Sequence, residues 1–101
     1  NEDLMARSCT AHEANWLIDE EVLADWHPVL AQHRYNAQPV PARVRVIDRL
    51  DEDTPSGRPG CFQCAFDEPQ RAVTPGQAIA IYDRERPEVV LGGGWIDSIG
   101  S

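Results

Sequence analysis

Cys61 and Cys64 form a C-x-x-C pair, the spacing used by zinc ligands and by dithiol redox centres. Either chemistry needs both sulfurs on one side of the chain. The surrounding run, Cys61-Phe62-Gln63-Cys64-Ala65-Phe66, alternates as a strand does. That sets Cys64 with Phe62 and Phe66 and turns Cys61 to the opposite face. The sequence holds no second Cys/His pair of metal-site spacing. Packing as small hydrophobes is therefore the favoured role for these cysteines, with a zinc or redox module as the weaker alternative. Three cysteines do not suggest a disulfide framework, and reduced thiols fit a cytoplasmic protein.

Other candidate chemistry is equally sparse. His12, His27 and His33 are scattered, with no i, i+4 pairing. Ser, His and Asp are all present, but no nucleophile-elbow pattern joins them. Asp67 and Glu68 are adjacent, so their carboxylates point in different directions and suit a turn better than acid/base work. Gly92-Gly93-Gly94 could cradle a phosphate only if a helix began behind it. Trp95-Ile96-Asp97-Ser98-Ile99 follows instead and reads as a strand, so the glycines mark a bulge or bend where no Cβ fits. No catalytic residue and no metal ligand is assigned.

Charge offers one further possibility. All nine basic residues are Arg, Lys is absent, and the formal net charge is −8. Such an acidic whole argues against autonomous nucleic-acid binding, which draws on a net basic footprint. Residues 1–33 carry seven acids against Arg7 alone, whereas residues 34–101 carry ten acids against eight Args. An anion-facing surface must then be a local patch in the second part. Arg43 and Arg45 share the outward face of one expected strand, with Arg34 and Tyr35 close in sequence. They could form a phosphate-contacting strip, or merely a solvated face with local ion pairs. Trp16, Trp26 and Trp95 could stack on unpaired bases, but burial in a core or between domains is the safer expectation.

The elements that must position these residues are mostly strands. Residues 4–11 and 15–18 read as two short strands. Asp19 reads as an N-cap for a turn or two of helix, with Glu20 and Glu21 in its first turn and Val22, Leu23 and Trp26 on one face. Pro28 ends it. Strands follow over residues 29–35, 41–48, 61–66, 77–82, 88–91 and 95–99. Residues 50–60 read as a long polar loop, and Pro75-Gly76 suits the centre of a type II turn. Short strands so spaced, joined by Pro/Gly turns, predict a mainly β fold that closes into a small barrel. At 101 residues the chain is one small domain or a fragment of a longer protein. No stretch approaches the length of a membrane span, and no secretory leader is visible.

A family resemblance adds to this reading. The run Phe66-Asp67-Glu68-Pro69-Gln70-Arg71-Ala72-Val73-Thr74-Pro75-Gly76-Gln77-Ala78, then Ile81-Tyr82 and Leu91-Gly92-Gly93-Gly94-Trp95-Ile96, resembles the C-terminal end of the bacterial tRNA-specific 2-thiouridylases, long also labelled tRNA methyltransferases. Arg34-Tyr35, Pro41 and Val44 follow the family's basic strand and the one after it. Asn15-Trp16-Leu17 resembles the segment leaving its central domain. The likeness spans nearly the whole chain, and T-P-G-Q with L-G-G-G together are specific.

The resemblance implies a six-stranded β-barrel like the second domain of elongation factors, over residues 29–101. Residues 1–28 would be a remnant of the central domain and linker. It implies a parent enzyme that uses ATP to adenylate the wobble uridine of certain tRNAs and then replaces oxygen with sulfur. The ATP loop and catalytic cysteines would lie in an N-terminal catalytic domain, so Cys9, Cys61 and Cys64 inherit no sulfur-transfer role and the fragment alone should be inactive and hold no cofactor. Its expected job is to help bind and position tRNA through Arg34, Arg43, Arg45 and Arg71, with Tyr35 stacking. The competing reading is a protein-interaction or structural barrel packed on the catalytic domain or on a sulfur-carrier partner.

Overall fold

The alternation of residues 40–46 sets the pattern for the molecule: Ala42 and Val44 are fully buried, while Arg43 between them is exposed. β2, β4 and β5 repeat this division, and the buried side chains of all six strands meet in one core. The computed structural model describes residues 5–34, 37–47 and 60–100. Its strands are β1 (Ala6–Trp16), β2 (His27–Gln32), β3 (Val40–Val46), β4 (Phe62–Gln70), β5 (Ala78–Asp83) and β6 (Val90–Gly100). All neighbours pair antiparallel, in the closed order β1-β4-β3-β2-β5-β6, with β6 returning to β1. The expected mainly β, six-stranded barrel is thus the fold. Val29, Ala31, Phe62, Cys64, Ile81 and Ile96 fill its interior, all 0–1 % exposed.

Two boundaries differ from the sequence reading. The expected strands at residues 4–11 and 15–18 are one strand, β1, paired with β4 on one side and β6 on the other. The barrel therefore begins well before residue 29, and residues 6–16 are part of its wall rather than of a preceding extension. What hid the continuity is a bulge. Between His12↔Trp95 and Asn15↔Gly93, β1 advances three residues and β6 two. Glu13 takes the left-handed backbone (φ 55), and the Ala14 N–H turns to Gly60 O at 3.0 Å. Likewise the expected strands 88–91 and 95–99 are one strand, β6, which runs straight through the glycines.

Those glycines hold the ring closed. At Gly92 the β5 register slips between Ile81 and Tyr82, and the backbone adopts φ +157. A Cβ on Gly93 would stand 2.5 Å from Ile79 O, and one on Gly94 2.7 Å from His12 O. The expectation that no Cβ fits here holds. The other turn signal also holds. Gln77 N–H donates to Thr74 O at 3.3 Å, with Gly76 at φ +93, which is the type II geometry. The Gln77 amide completes the loop, accepting from Thr74 N at 3.1 Å and donating to Ala72 O at 3.1 Å. Gly76 N–H and Gln77 O then bond Ile96 of β6.

Before β2, Asp19 caps a single 3-10 turn, Glu20–Leu23, accepting from Glu21 N at 3.1 Å. Only Leu23 enters the core. Val22 and Trp26, expected on the same buried face, are 50 % and 39 % exposed, because the segment stops after one turn and never develops a helical face. At the far end of β5, Arg84 ties three strands. It donates to Val29 O at 3.2 Å and Ala42 O at 2.6 Å, and it meets Asp67 Oδ2 at 3.3 Å.

His33 closes the end of β2. It is buried, its ring tilted against Phe66 at 5.6 Å. Burial pushes its pKa below the ordinary value, and Arg34 adds to this, against the opposing pull of the Gln70 side chain.

Two stability predictions follow from these contacts. Gly93→Ala must force apart β5 and β6, costing about 2–3 kcal/mol. Gly76→Ala meets open space and bears only backbone strain, about 1 kcal/mol. Urea denaturation of the two variants should rank them in that order; equal losses would contradict the close-approach account. For His33, the unfolded chain takes up a proton near pH 6.5 that the folded chain does not. Stability contributed by the neutral ring is therefore complete above about pH 7 and lost as pH falls through 6.5. His33→Gln should flatten that part of the pH–stability curve relative to the parent sequence, and superimposable slopes would show the ring is not responsible.

Candidate nucleic-acid interface

Arg43 and Arg45 stand on the outer face of β3, where strict alternation with Ala42 and Val44 puts them. Their Cα partners on β4 are Ala65 and Gln63. Arg45 is held in place: its Nη2 donates to Gln63 Oε1 at 2.6 Å, and its guanidinium lies 4.7 Å from the centre of the Trp26 ring. Stacking on an indole limits the rotamers of the fork. Arg43 is exposed and, among the described residues, has no ion-pair partner. The strip is thus one fixed and one free guanidinium, spaced two residues apart on a rigid strand.

The other expected contacts do not join it. Arg43 pairs with Pro28 on β2, and Arg34 lies six residues further along, in the bend beyond the end of β2 at Gln32. Arg34 is exposed on the rim of a separate cleft of about 730 Å³, which it shares with His33, Ala72 and Ile79. Arg71 is exposed in the turn after β4, beside Ala72 of that cleft. Tyr35 lies outside the described residues. The four described arginines therefore divide between a β3 strip and the surroundings of the cleft. Trp26 was not anticipated at the strip. In sequence it falls on a helical face with Val22 and Leu23; the β2–β3 register (His27↔Val44) is what brings it beside Arg45.

The thiols point elsewhere. Cys64 faces Cys9 directly across the β1–β4 pair, and both are buried. A hydrogen bond with Cys9, followed by burial, pushes the Cys64 thiol well up, which suppresses the reactive thiolate. Cys61 is also buried but lies outside the core cluster that contains Cys9 and Cys64, and its carbonyl accepts from Ile47 N at 3.0 Å. Among the described residues, no group of three or more His, Cys, Asp or Glu side chains is placed to hold a metal ion, and no helix is long and apolar enough to cross a membrane.

Comparison with known proteins bears on the whole chain. Residues 6–96 match the family model for the aminomethyltransferase beta-barrel domain. Over 95 residues the chain is 45 % identical to the tRNA-specific 2-thiouridylase MnmA of Rhodopirellula baltica, covering 94 % of this chain and 21 % of that protein. It is 42 % identical to the enzyme of the same name from Magnetococcus marinus over 97 residues (94 % and 23 %). The corresponding figures for Synechococcus sp. CC9311 are 40 % over 91 residues (89 % and 22 %). The chain spans about a fifth of the length of these relatives. The family match begins at the first residue of β1 and ends within β6, past its three glycines. The resemblance drawn from T-P-G-Q and L-G-G-G is therefore upheld, and the chain belongs to the beta-barrel domain family that these 2-thiouridylases share.

Proposed function

We propose that the chain is the non-catalytic C-terminal barrel of an ATP-dependent tRNA 2-thiouridylase, and that it helps to bind and position tRNA by its β3 face. The observation that carries this reading is the pair of outward guanidiniums, Arg43 and Arg45, in a relative of enzymes named for a tRNA substrate. A barrel surface is too broad for the deep, narrow groove of an A-form helix, so recognition would follow the phosphate backbone and overall shape. Arg45, fixed on Trp26, would bind with little further loss of freedom, and Arg43 would adapt. Arg34 and Arg71 would make a second, separate phosphate contact at the rim of the cleft, with Tyr35 available to stack. Adenylation and sulfur transfer would take place on an N-terminal catalytic domain, with ATP and a sulfur-carrier protein engaged there, in the cytoplasm. The net charge of −8 supports weak tRNA affinity for the chain by itself.

The test is tRNA binding by the full-length enzyme at several salt concentrations. Arg43→Ala should weaken binding about fivefold, near 1 kcal/mol, and lower the salt slope by about 0.7–0.9. Arg86→Ala, on the exposed turn between β5 and β6, should change neither. Equal behaviour of the two variants would remove the β3 face from the tRNA contact.

A further inference from the structure

The cleft beside Arg34 measures about 730 Å³, within the range of small-molecule sites. It forms where the end of β2 meets the start of β5 and the turn after β4. Ala78 and Ala80 of β5 and Ala72 of the turn line it, so its floor carries only short side chains. Two amides in its walls are already engaged. That of Gln32 donates to Ala37 O at 2.7 Å and accepts from Tyr82 Oη at 3.1 Å. That of Gln77 holds the Thr74–Gln77 turn. These bonds stiffen the walls.

Two other groups are less committed. His33 is 7 % exposed and meets Phe66 and the Gln70 side chain, yet its Nδ1 has no hydrogen-bond partner among the described residues. Such a buried nitrogen is costly until something bonds it. It is covered where it stands, and a turn about χ2, a soft torsion, would present it to the cleft. Arg34 is exposed, and its guanidinium has no ion-pair partner among the described residues. None of the described residues that line the cleft is acidic. Arg71, one residue before Ala72, adds a second exposed guanidinium nearby.

An aliphatic protein side chain would cover the alanines but leave Nδ1 and Arg34 unanswered. A planar ring with a hydrogen-bonding edge and an attached anion answers all three. A nucleotide has that chemistry, and unpaired nucleotides are the parts of an RNA whose bases can leave the stack and enter a pocket.

We propose that the cleft receives the base of one unpaired tRNA nucleotide, with His33 at the base edge and Arg34 on its phosphate. The proposal rests on reading the chain as a tRNA-contacting domain and turns the phosphate contact at the rim into a base-recognising site. In the closed order β2 lies between β3 and β5, so the arginine strip and the cleft flank one strand and a single RNA can meet both.

The test is tRNA binding by the full-length enzyme at several salt concentrations, with chemical probing of base edges in the saturated complex. Ala80→Leu and Ala72→Leu fill the cleft with neutral groups. Ala72 already carries a Cβ at φ 61, so a longer side chain brings little new backbone strain there. Each variant should weaken binding about tenfold, the worth of one stacked base, at an unchanged salt slope. Arg34→Ala should instead lower the slope by about 0.7. One unpaired nucleotide, protected from carbodiimide or dimethyl sulfate in the parent complex, should regain reactivity in both filled variants while the other protections persist. Parent-like affinity and unchanged protection in both would overturn the proposal, whether the cleft is then empty or covered by protein. Weaker binding with a lowered slope and unchanged base protection would leave a phosphate contact only, and also overturns it. Circular dichroism checks folding, and should one filled variant fail it, the other decides. If the cleft variants behave as the parent while Arg43→Ala still weakens binding, this proposal alone falls; the reverse pattern removes the β3 contact and leaves the cleft.

Discussion

The pairing of the first strand with the last is the interaction on which the barrel depends. β1 and β6 can meet only if their backbones approach closely over residues 92–94 and 12–16. A Cβ on Gly92 would stand 2.5 Å from Asn15 O, and one on Gly94 2.7 Å from His12 O. Closure also demands curvature. It is supplied where one strand advances further than its partner: at Glu13 in β1, at Ile81/Tyr82 opposite Gly92, and between Ala6 and Ser8, where β4 gains three residues on β1. Shape and closure thus come from the same few positions, and a closed ring leaves no edge for aberrant pairing.

The motifs that reveal the family are these same positions. Thr74-Pro75-Gly76-Gln77 forms a type II turn whose glutamine amide satisfies two backbone groups, and the turn is bonded to Ile96 of β6. Leu91-Gly92-Gly93-Gly94 is the segment that lets β6 nestle between β1 and β5. Neither motif presents a nucleophile, a general base or an anion cradle to solvent. Kinship is therefore written in residues that shape the backbone, while the surfaces that could meet a partner lie on the outward positions between them. A search for catalytic patterns in the most recognisable runs of this sequence finds fold determinants instead.

That division explains what could be read in advance. The β3 alternation, the Pro-Gly turn and the crowded glycines are local signals, each decided within a few residues, and each matched the structure. What escaped depends on register between distant strands. Glu13 carries no sequence mark of a left-handed backbone, so β1 looked like two pieces and the barrel looked shorter. Trp26 looked like a core residue because helical spacing was assumed through it; a single 3-10 turn leaves it outside, against Arg45. The Cys9–Cys64 pairing and the reach of Arg84 to Val29 and Ala42 join residues tens of positions apart. The candidate strip was legible as Arg43 and Arg45, but Arg34 was near it only in sequence, and Arg71 lies apart in the turn after β4.

An acidic protein with a small arginine strip has a physical use for both features. A uniformly basic barrel would attract RNA from every side and hold it in no single orientation. With seventeen acids against nine Args, most of the surface repels a phosphate backbone at short range. On β3 one guanidinium, that of Arg45, is fixed by an indole and a glutamine amide. With the proposed contact on β3, the background charge would restrict the approach of a polyanion to that side. A rigid, closed sheet keeps the β3 strip and the cleft beside Arg34 at a constant separation, so whatever holds one fixes the position of the other.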